Sequence, residues 1–127
     1  MPRHPQQRPV FFNVLQIAML VGALTSIAHR ISGVLLAASL PVAVYLLDQS
    51  LQSEAGYAAV TLWLKHSAVK FLLVGLVWAL SHHLLAGIRH LLMDIDVGSL
   101  LRVARLTAWV VNVVAVLFAL WPSVLLW

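Results

Sequence analysis

The stretch "SHHLLAGIRHLLMD", Ser81–Asp94, places three histidines, an arginine and an aspartate among leucine, isoleucine, methionine, alanine and glycine. It ends an apolar run of residues 62–93, and a helix of ~20 apolar residues already crosses the ~30 Å hydrocarbon core of a bilayer. Ionisable groups inside a membrane are costly, and they usually face a bundle interior or serve a function. The stretch therefore predicts a membrane helix with one functional polar face.

Two further apolar runs, residues 25–47 and 106–127, are also long enough to span a bilayer. The chain is 62% hydrophobic and 9% charged, whereas soluble domains carry about 25% charged residues. We expect an all-α integral membrane protein whose residues 1–127 form a single domain with three transmembrane helices. The segment 48–61, "DQSLQSEAGYAAVT", predicts a polar loop, and "DVGS" at 96–99 predicts a helix stop followed by a new start.

Charge predicts the orientation of the chain in the membrane. The basic residues are scattered near helix ends and form no run, which favours a bilayer over nucleic acid as the partner. Three spans place all six arginines on the side of the N-terminus and both lysines on the other side. The positive-inside rule then predicts a cytoplasmic N-terminus, beginning with a retained tail, and a C-terminus outside. With no cysteine, the chain has no disulfide and no thiolate to hold an iron–sulfur cluster.

Several polar residues of the second predicted helix share a face with small residues. At about 100° per residue, four residues project to one side of the helix, each within about 40° of His83. These are His83, Gly87, His90 and Asp94, with Ala79 and Ala86 at the edges. An imidazole between small residues offers haem an axial ligand and room to lie against the helix. The alternative is a set of packing positions and helix-end groups that reach the interface. His82 lies off this face.

The first predicted helix opens with "SIAHRISG", Ser26–Gly33, which contains a second polar group. Ser26, Arg30 and Gly33 share a face through i, i+4, i+7 spacing. Arg30 can donate to anionic propionates or to the carbonyl of a neutral ligand, and Ser26 can donate beside it. The alternative makes Arg30 a positive-inside anchor and Ser26 a helix cap. His29 points about 100° away from Arg30 and can serve a neighbouring site.

Together, "SIAHRISG" and "HLLAGIRHLLMD" (residues 83–94) resemble the cytochrome b membrane-anchor subunit of succinate dehydrogenase, respiratory complex II. The segment "RPVFFNVLQ", residues 8–16, is similar to the proteobacterial members. The resemblance implies that His83 is an axial ligand of haem b and that Ser26 and Arg30 line a ubiquinone site. It also implies contacts of His29, Arg30 and His90 with the haem propionates. The second histidine, His82, is a departure that puts the identity of the ligand in question.

The resemblance further implies a flavoprotein subunit, an iron–sulfur subunit and a second membrane anchor as partners in a bacterial inner membrane. Electrons from succinate would pass through the iron–sulfur clusters to ubiquinone. The residues themselves point to a partner, because the helices offer one good mid-depth histidine and a six-coordinate haem needs two. The alternatives are a fumarate reductase anchor, a haem-free structural anchor, and a transporter component whose histidines relay protons.

Overall fold

The computed structural model describes residues 21–126, apart from the side chains of residues 122, 125 and 126. Four helices make up this part of the chain: α1 (Val21–Gln52), α2 (Glu54–Leu64), α3 (Ser67–Asp94) and α4 (Leu101–Leu126). Three segments are long and apolar enough to cross a membrane: Val21–Gln52, Ser67–Asp94 and Leu101–Trp121. The predicted all-α fold with three spans is confirmed. The N-terminal tail and the last residue of the third predicted span lie outside the described residues.

The long helices form a small bundle in which α3 packs against both α1 and α4. Most of the buried apolar residues are alanines, and small residues let membrane helices approach closely. The buried apolar set is Val69, Ala79, Ala86, Ala108, Val111, Ala115 and Ala119. Large apolar side chains on the outer faces of α1, α3 and α4 are exposed. These outer faces suit lipid or another apolar helix.

The predicted polar loop at 48–61 is wrong, because nearly all of this segment is helical. Helix α1 continues to Gln52, and α2 begins at Glu54 after a break at Ser53. The Ser53 hydroxyl accepts a hydrogen bond from the Gly56 N–H at 3.0 Å, and the Glu54 carboxylate lies in the first turn. Both features stabilise a helix N-terminus. The polar residues that indicated a loop therefore cap a short helix, which packs beside α1.

The helix bounds also differ from those predicted by hydropathy. The second predicted span, 62–93, contains the end of α2 and a break at Lys65 and His66, so α3 begins only at Ser67. Helix α1 extends beyond 25–47 at both ends, and α4 begins at Leu101 instead of residue 106. The first turns of α4 contain Arg102 and Arg105. Hydropathy separates apolar from polar segments, whereas a helix can continue into the polar interface.

The connection between α3 and α4 confirms the predicted helix stop. Asp96 has φ 61° and Gly98 has φ 78°, and these left-handed conformations favour aspartate and glycine. The Val97 N–H donates to the Leu92 carbonyl at 2.9 Å, and the Asp96 N–H donates to the Met93 carbonyl at 3.0 Å. This pair of bonds is a Schellman helix end. The turn brings the start of α4 beside the end of α3, at the end of the bundle where α1 begins, called here the Val21 end.

Candidate functional site

Adjacent histidines on α3 face different helices. His82 and His83 are neighbours in sequence, so their side chains leave the helix about 100° apart. His82 is 1% exposed and points at α4, where its Nε2 lies 3.0 Å from the Asn112 Oδ1. His83 is half-buried and points at α1. The imidazoles of these two adjacent residues therefore have different surroundings.

The His83 ring has a defined orientation. Its Nδ1 lies 3.0 Å from the backbone oxygen of His29 and 3.4 Å from the Ser32 Oγ. A carbonyl oxygen can only accept, so the His83 Nδ1 carries the proton and donates. In the neutral ring, Nε2 then holds the lone pair, and it makes no hydrogen bond within residues 21–126. Metal-bound histidines commonly donate one ring N–H to a carbonyl and bind through the other nitrogen.

Gly33 of α1 makes room for this ring. A Cβ atom at Gly33 would lie 2.8 Å from the His83 Cε1 and 3.2 Å from its Nδ1, so the ring rests against the α1 backbone. Ser32, the preceding residue, is fully buried. The sequence grouped Gly33 with Ser26 and Arg30. In the structure, Gly33 instead lies beside the histidine.

The imidazoles of His29, His83 and His90 form a column between α1 and α3. The His29 ring stacks on His83 with 4.2 Å between centroids and 12° between planes. The centroid of the His29 ring also lies 5.1 Å from that of the His90 ring, with 30° between the two planes. Stacked rings do not converge on one point. Consistent with this, no group of three metal-ligating side chains occurs in the described part of the chain.

The small-residue face of α3 is only partly open. A Cβ at Gly87 would lie 3.4 Å from the His29 Nε2, so His29 occupies the space above Gly87 that the sequence left for a flat cofactor. Ala79 and Ala86 are fully buried. The His90 Nδ1 lies 2.6 Å from the Ala86 carbonyl and is oriented by it. The space over Gly87 is therefore filled by a side chain of α1.

Arg30 lies apart from the histidine column. Its side chain is exposed and borders a shallow cavity of about 260 Å³ lined also by Ile31, Val34 and Leu35. Ser26 is half-buried. Within residues 21–126, neither Ser26 nor Arg30 makes a hydrogen bond or an ion pair with the side chains of the histidine column. The structure thus brings His29, His83 and His90 together and leaves Arg30 at the outer surface.

A second polar network was missed by the sequence analysis. The Asn112 Nδ2 donates to the Thr25 Oγ1 at 3.0 Å, and the Thr25 hydroxyl donates to the Val21 carbonyl at 2.9 Å. His82 joins this chain through Asn112. The feature of the sequence that could have predicted this network is the asparagine in "VVNVV", since an amide inside an apolar span needs a hydrogen-bond partner.

Arg89 also lies inside the bundle, against α4. It is 9% exposed, and its guanidinium donates to the Thr107 Oγ1 at 3.2 Å and to the Ala104 carbonyl at 3.0 Å. Beside it, a cavity of about 410 Å³ opens at the Val21 end between Gly22, Asp94 and Arg105. Arg89 therefore joins α3 to α4 near this cavity.

Comparison with known proteins agrees with this architecture. Residues 4–121 match the family model described as "Succinate dehydrogenase/Fumarate reductase transmembrane subunit". A succinate dehydrogenase cytochrome b556 subunit of Coxiella burnetii is 33% identical over 122 residues, covering 95% of this chain and 98% of the relative. The subunit of the same name from Paracoccus denitrificans is 35% identical over 92 residues, covering 72% of this chain and 70% of the relative.

A third relative, the cytochrome b556 subunit of Rickettsia typhi, is 32% identical over 107 residues, covering 84% of this chain and 80% of the relative. All three relatives are bacterial, and residues 21–126 contain three helices long and apolar enough to cross a membrane, so the chain is a multi-pass protein of the bacterial inner membrane. On the family match and these relatives together, the chain belongs to the succinate dehydrogenase/fumarate reductase transmembrane subunit family.

Proposed function

We propose that this chain binds haem b through the Nε2 of His83 and serves as a membrane anchor that passes electrons from succinate to ubiquinone. The observation that carries the proposal is the orientation of His83. Its Nδ1 proton is held by the His29 carbonyl at 3.0 Å, and Nε2 keeps a free lone pair. Haem supplies one-electron redox chemistry when bound, and the residues of this chain hold and orient it.

A second chain would supply the other ligand of a six-coordinate haem. Two histidines of this chain could hold one haem only if their rings left space for the macrocycle. The His29 and His83 rings are separated by 4.2 Å and stack almost in parallel, leaving no room for a macrocycle between them. The exposed apolar faces of the bundle provide the area on which a second anchor subunit can pack.

The remaining polar residues have roles around the haem and the quinone. His29 and His90 lie on the Val21-end side of His83, where their imidazoles can donate to haem propionates. Arg30 is exposed on the same helix as His29 and can pair with a propionate or polarise a quinone carbonyl. Ser26, one turn earlier, can donate to the same carbonyl. With the N-terminus cytoplasmic, all four residues lie toward the cytoplasmic side.

The flavoprotein and iron–sulfur subunits complete the electron path. This chain has no cysteine with which to hold a cluster, so the electrons reach it from a partner. Ubiquinone takes up two electrons and two protons at the Ser26 and Arg30 site. The chain's own contribution is to place the quinone carbonyl and to hold the haem, and the oxidation of succinate takes place in the partner subunits.

A reduced-minus-oxidised visible spectrum of the purified complex tests the haem proposal. We expect sharp Soret and α bands in the parent complex and their loss in His83→Leu. The neighbouring His82→Gln change is the matched control and should retain the bands. A parent complex that lacks the bands identifies a haem-free anchor. If the bands survive in His83→Leu and disappear in His82→Gln, the iron is bound by His82, and the proposal is wrong.

Replacement of Arg30 tests the quinone proposal separately. We expect Arg30→Leu to reduce quinone reductase activity while succinate oxidation with an artificial acceptor continues, since the acceptor takes electrons before the membrane site. Arg102→Leu removes another exposed arginine, at the start of α4, and serves as the control. Equal losses of both activities in Arg30→Leu would contradict the role given to Arg30.

A further inference from the structure

The buried network around His82 has a fixed hydrogen-bond direction. The Thr25 hydroxyl donates to the Val21 carbonyl at 2.9 Å, so its oxygen accepts from the Asn112 amide at 3.0 Å. The amide oxygen of Asn112 then faces the Nε2 of His82 at 3.0 Å. An amide oxygen can only accept, so His82 carries its proton on Nε2. The chain of donors runs from α3 through α4 to α1.

Asn112 is the sole hydrogen-bond partner of the His82 side chain among residues 21–126. The His82 Nδ1 is buried and has no hydrogen-bond partner. The Trp78 ring lies 5.3 Å away and packs against the imidazole without a hydrogen bond. Loss of Asn112 would therefore leave a buried imidazole with no polar contact, and such a group tends to leave the apolar interior.

The same rotation of α3 determines the position of both histidines. Because the two side chains are about 100° apart, burying His82 against α4 turns His83 toward α1. Toward α1, the His83 ring meets Gly33 and the His29 carbonyl. A rotation of α3 that released His82 would move His83 away from both contacts.

We propose that Asn112 is a positioning residue that selects which of the two adjacent histidines binds the haem iron. By holding the His82 Nε2–H inside the bundle, it removes His82 as a competing ligand and fixes the rotation of α3 that presents the His83 Nε2. This inference rests on the proposed haem-binding function. It gives a role to two residues, His82 and Asn112, that the proposed function leaves unused.

Electron paramagnetic resonance of the oxidised complex tests the proposal, because the low-spin ferric signal reports the identity and orientation of the axial ligands. We expect one low-spin species in the parent complex. Asn112→Leu and His82→Leu should each replace it with a shifted or mixed signal. The double Leu variant should resemble His82→Leu, because without the His82 imidazole the loss of Asn112 can no longer admit a competing ligand.

Conservative variants separate positioning from general packing. His82→Gln keeps an N–H donor near the position of Nε2, so the parent signal should persist. His82→Asn places its amide near Nδ1 instead and should give the altered signal. Thr107→Val is the matched control on α4, since it removes a different hydrogen bond to α3, from Arg89, and leaves the Asn112 network intact. The control should keep the parent signal.

The outcomes distinguish this inference from the proposed function. A parent complex without haem refutes the function, whereas a parent signal that is unchanged in Asn112→Leu refutes only the role of Asn112. Loss of the signal in His82→Gln also overturns the inference, because it would make His82 the ligand. If the leucine variants fail to assemble, the comparison of His82→Gln with His82→Asn decides the matter, and identical signals from the two refute the proposal.

Discussion

Replacement of Gly33 by alanine tests how the His83 ring is held. The added Cβ would lie 2.8 Å from the His83 Cε1, about 0.6 Å inside ordinary contact at 3.4 Å. The ring must retreat, yet its Nδ1 is tied to the His29 carbonyl at 3.0 Å. Overpacking of this kind costs about 1–3 kcal/mol. The loss of the hydrogen bond adds about 0.5–1.5 kcal/mol.

Helix propensity offsets part of this cost, since alanine is favoured over glycine by about 1 kcal/mol in a helix. A net cost of about 0.5–3.5 kcal/mol that falls on haem affinity corresponds to about 2- to 400-fold weaker binding. We expect Gly33→Ala to lower the haem content per complex and to change the low-spin ferric signal. Haem titration of the extracted complex and its visible spectrum measure these effects.

Two other helical glycines provide graded controls. A Cβ at Gly75 would meet nothing within 4 Å, and one at Gly87 would lie 3.4 Å from the His29 Nε2. Gly75→Ala should therefore leave the haem content unchanged, and Gly87→Ala, whose Cβ only reaches ordinary contact distance, should lower it little. If Gly33→Ala binds haem as tightly as Gly75→Ala, the close approach of α1 to His83 is not needed, and the reasoning fails.

Three further substitutions probe neighbouring contacts. Arg89→Leu leaves the Thr107 hydroxyl without its interhelical donor, so we expect a loss of about 0.6–1.7 kcal/mol in bundle stability, seen as a lower dissociation temperature of the complex; an unchanged temperature contradicts this. Gly56→Ala drives a Cβ into the backbone oxygen of Gln49, so proteolysis between α1 and α2 should accelerate while the haem spectrum stays unchanged. Ser32→Ala removes the 3.4 Å contact to His83 and the 2.8 Å hydrogen bond from the Ser32 hydroxyl to the His29 carbonyl, but it leaves the bond from His83 to that carbonyl, so haem affinity should fall less than the roughly tenfold loss typical of a full outer-shell partner; a larger loss would make Ser32 the main partner.

Hydropathy and helical periodicity predicted the three spans and the shared face of His83 and His90, because both are properties of one helix. They could not predict that the His29 ring enters the space above Gly87, since periodicity within α3 does not say which side chain of α1 faces it. The polar cap at Ser53 was mistaken for part of a loop. The same residues that favour loops also favour helix starts, and only the hydrogen bond to Gly56 distinguishes the two.

The contact between His82 and Asn112 could not be predicted from the sequence for a similar reason. The two residues are 30 positions apart, and nothing in either helix alone indicates the contact. Helical periodicity did place His82 off the face of His83, and the structure adds that this other side of α3 meets Asn112 of α4. The candidate functional residues of this chain were therefore easier to predict than the residues that orient them.

A cryo-electron microscopy map of the assembled complex is the most direct test of the central claim that His83 binds haem iron. The account predicts a macrocycle whose iron is bonded to the His83 Nε2, while the His83 Nδ1 stays on the His29 carbonyl and His82 stays on Asn112. A map in which the His83 Nε2 contacts only protein atoms or water would contradict it.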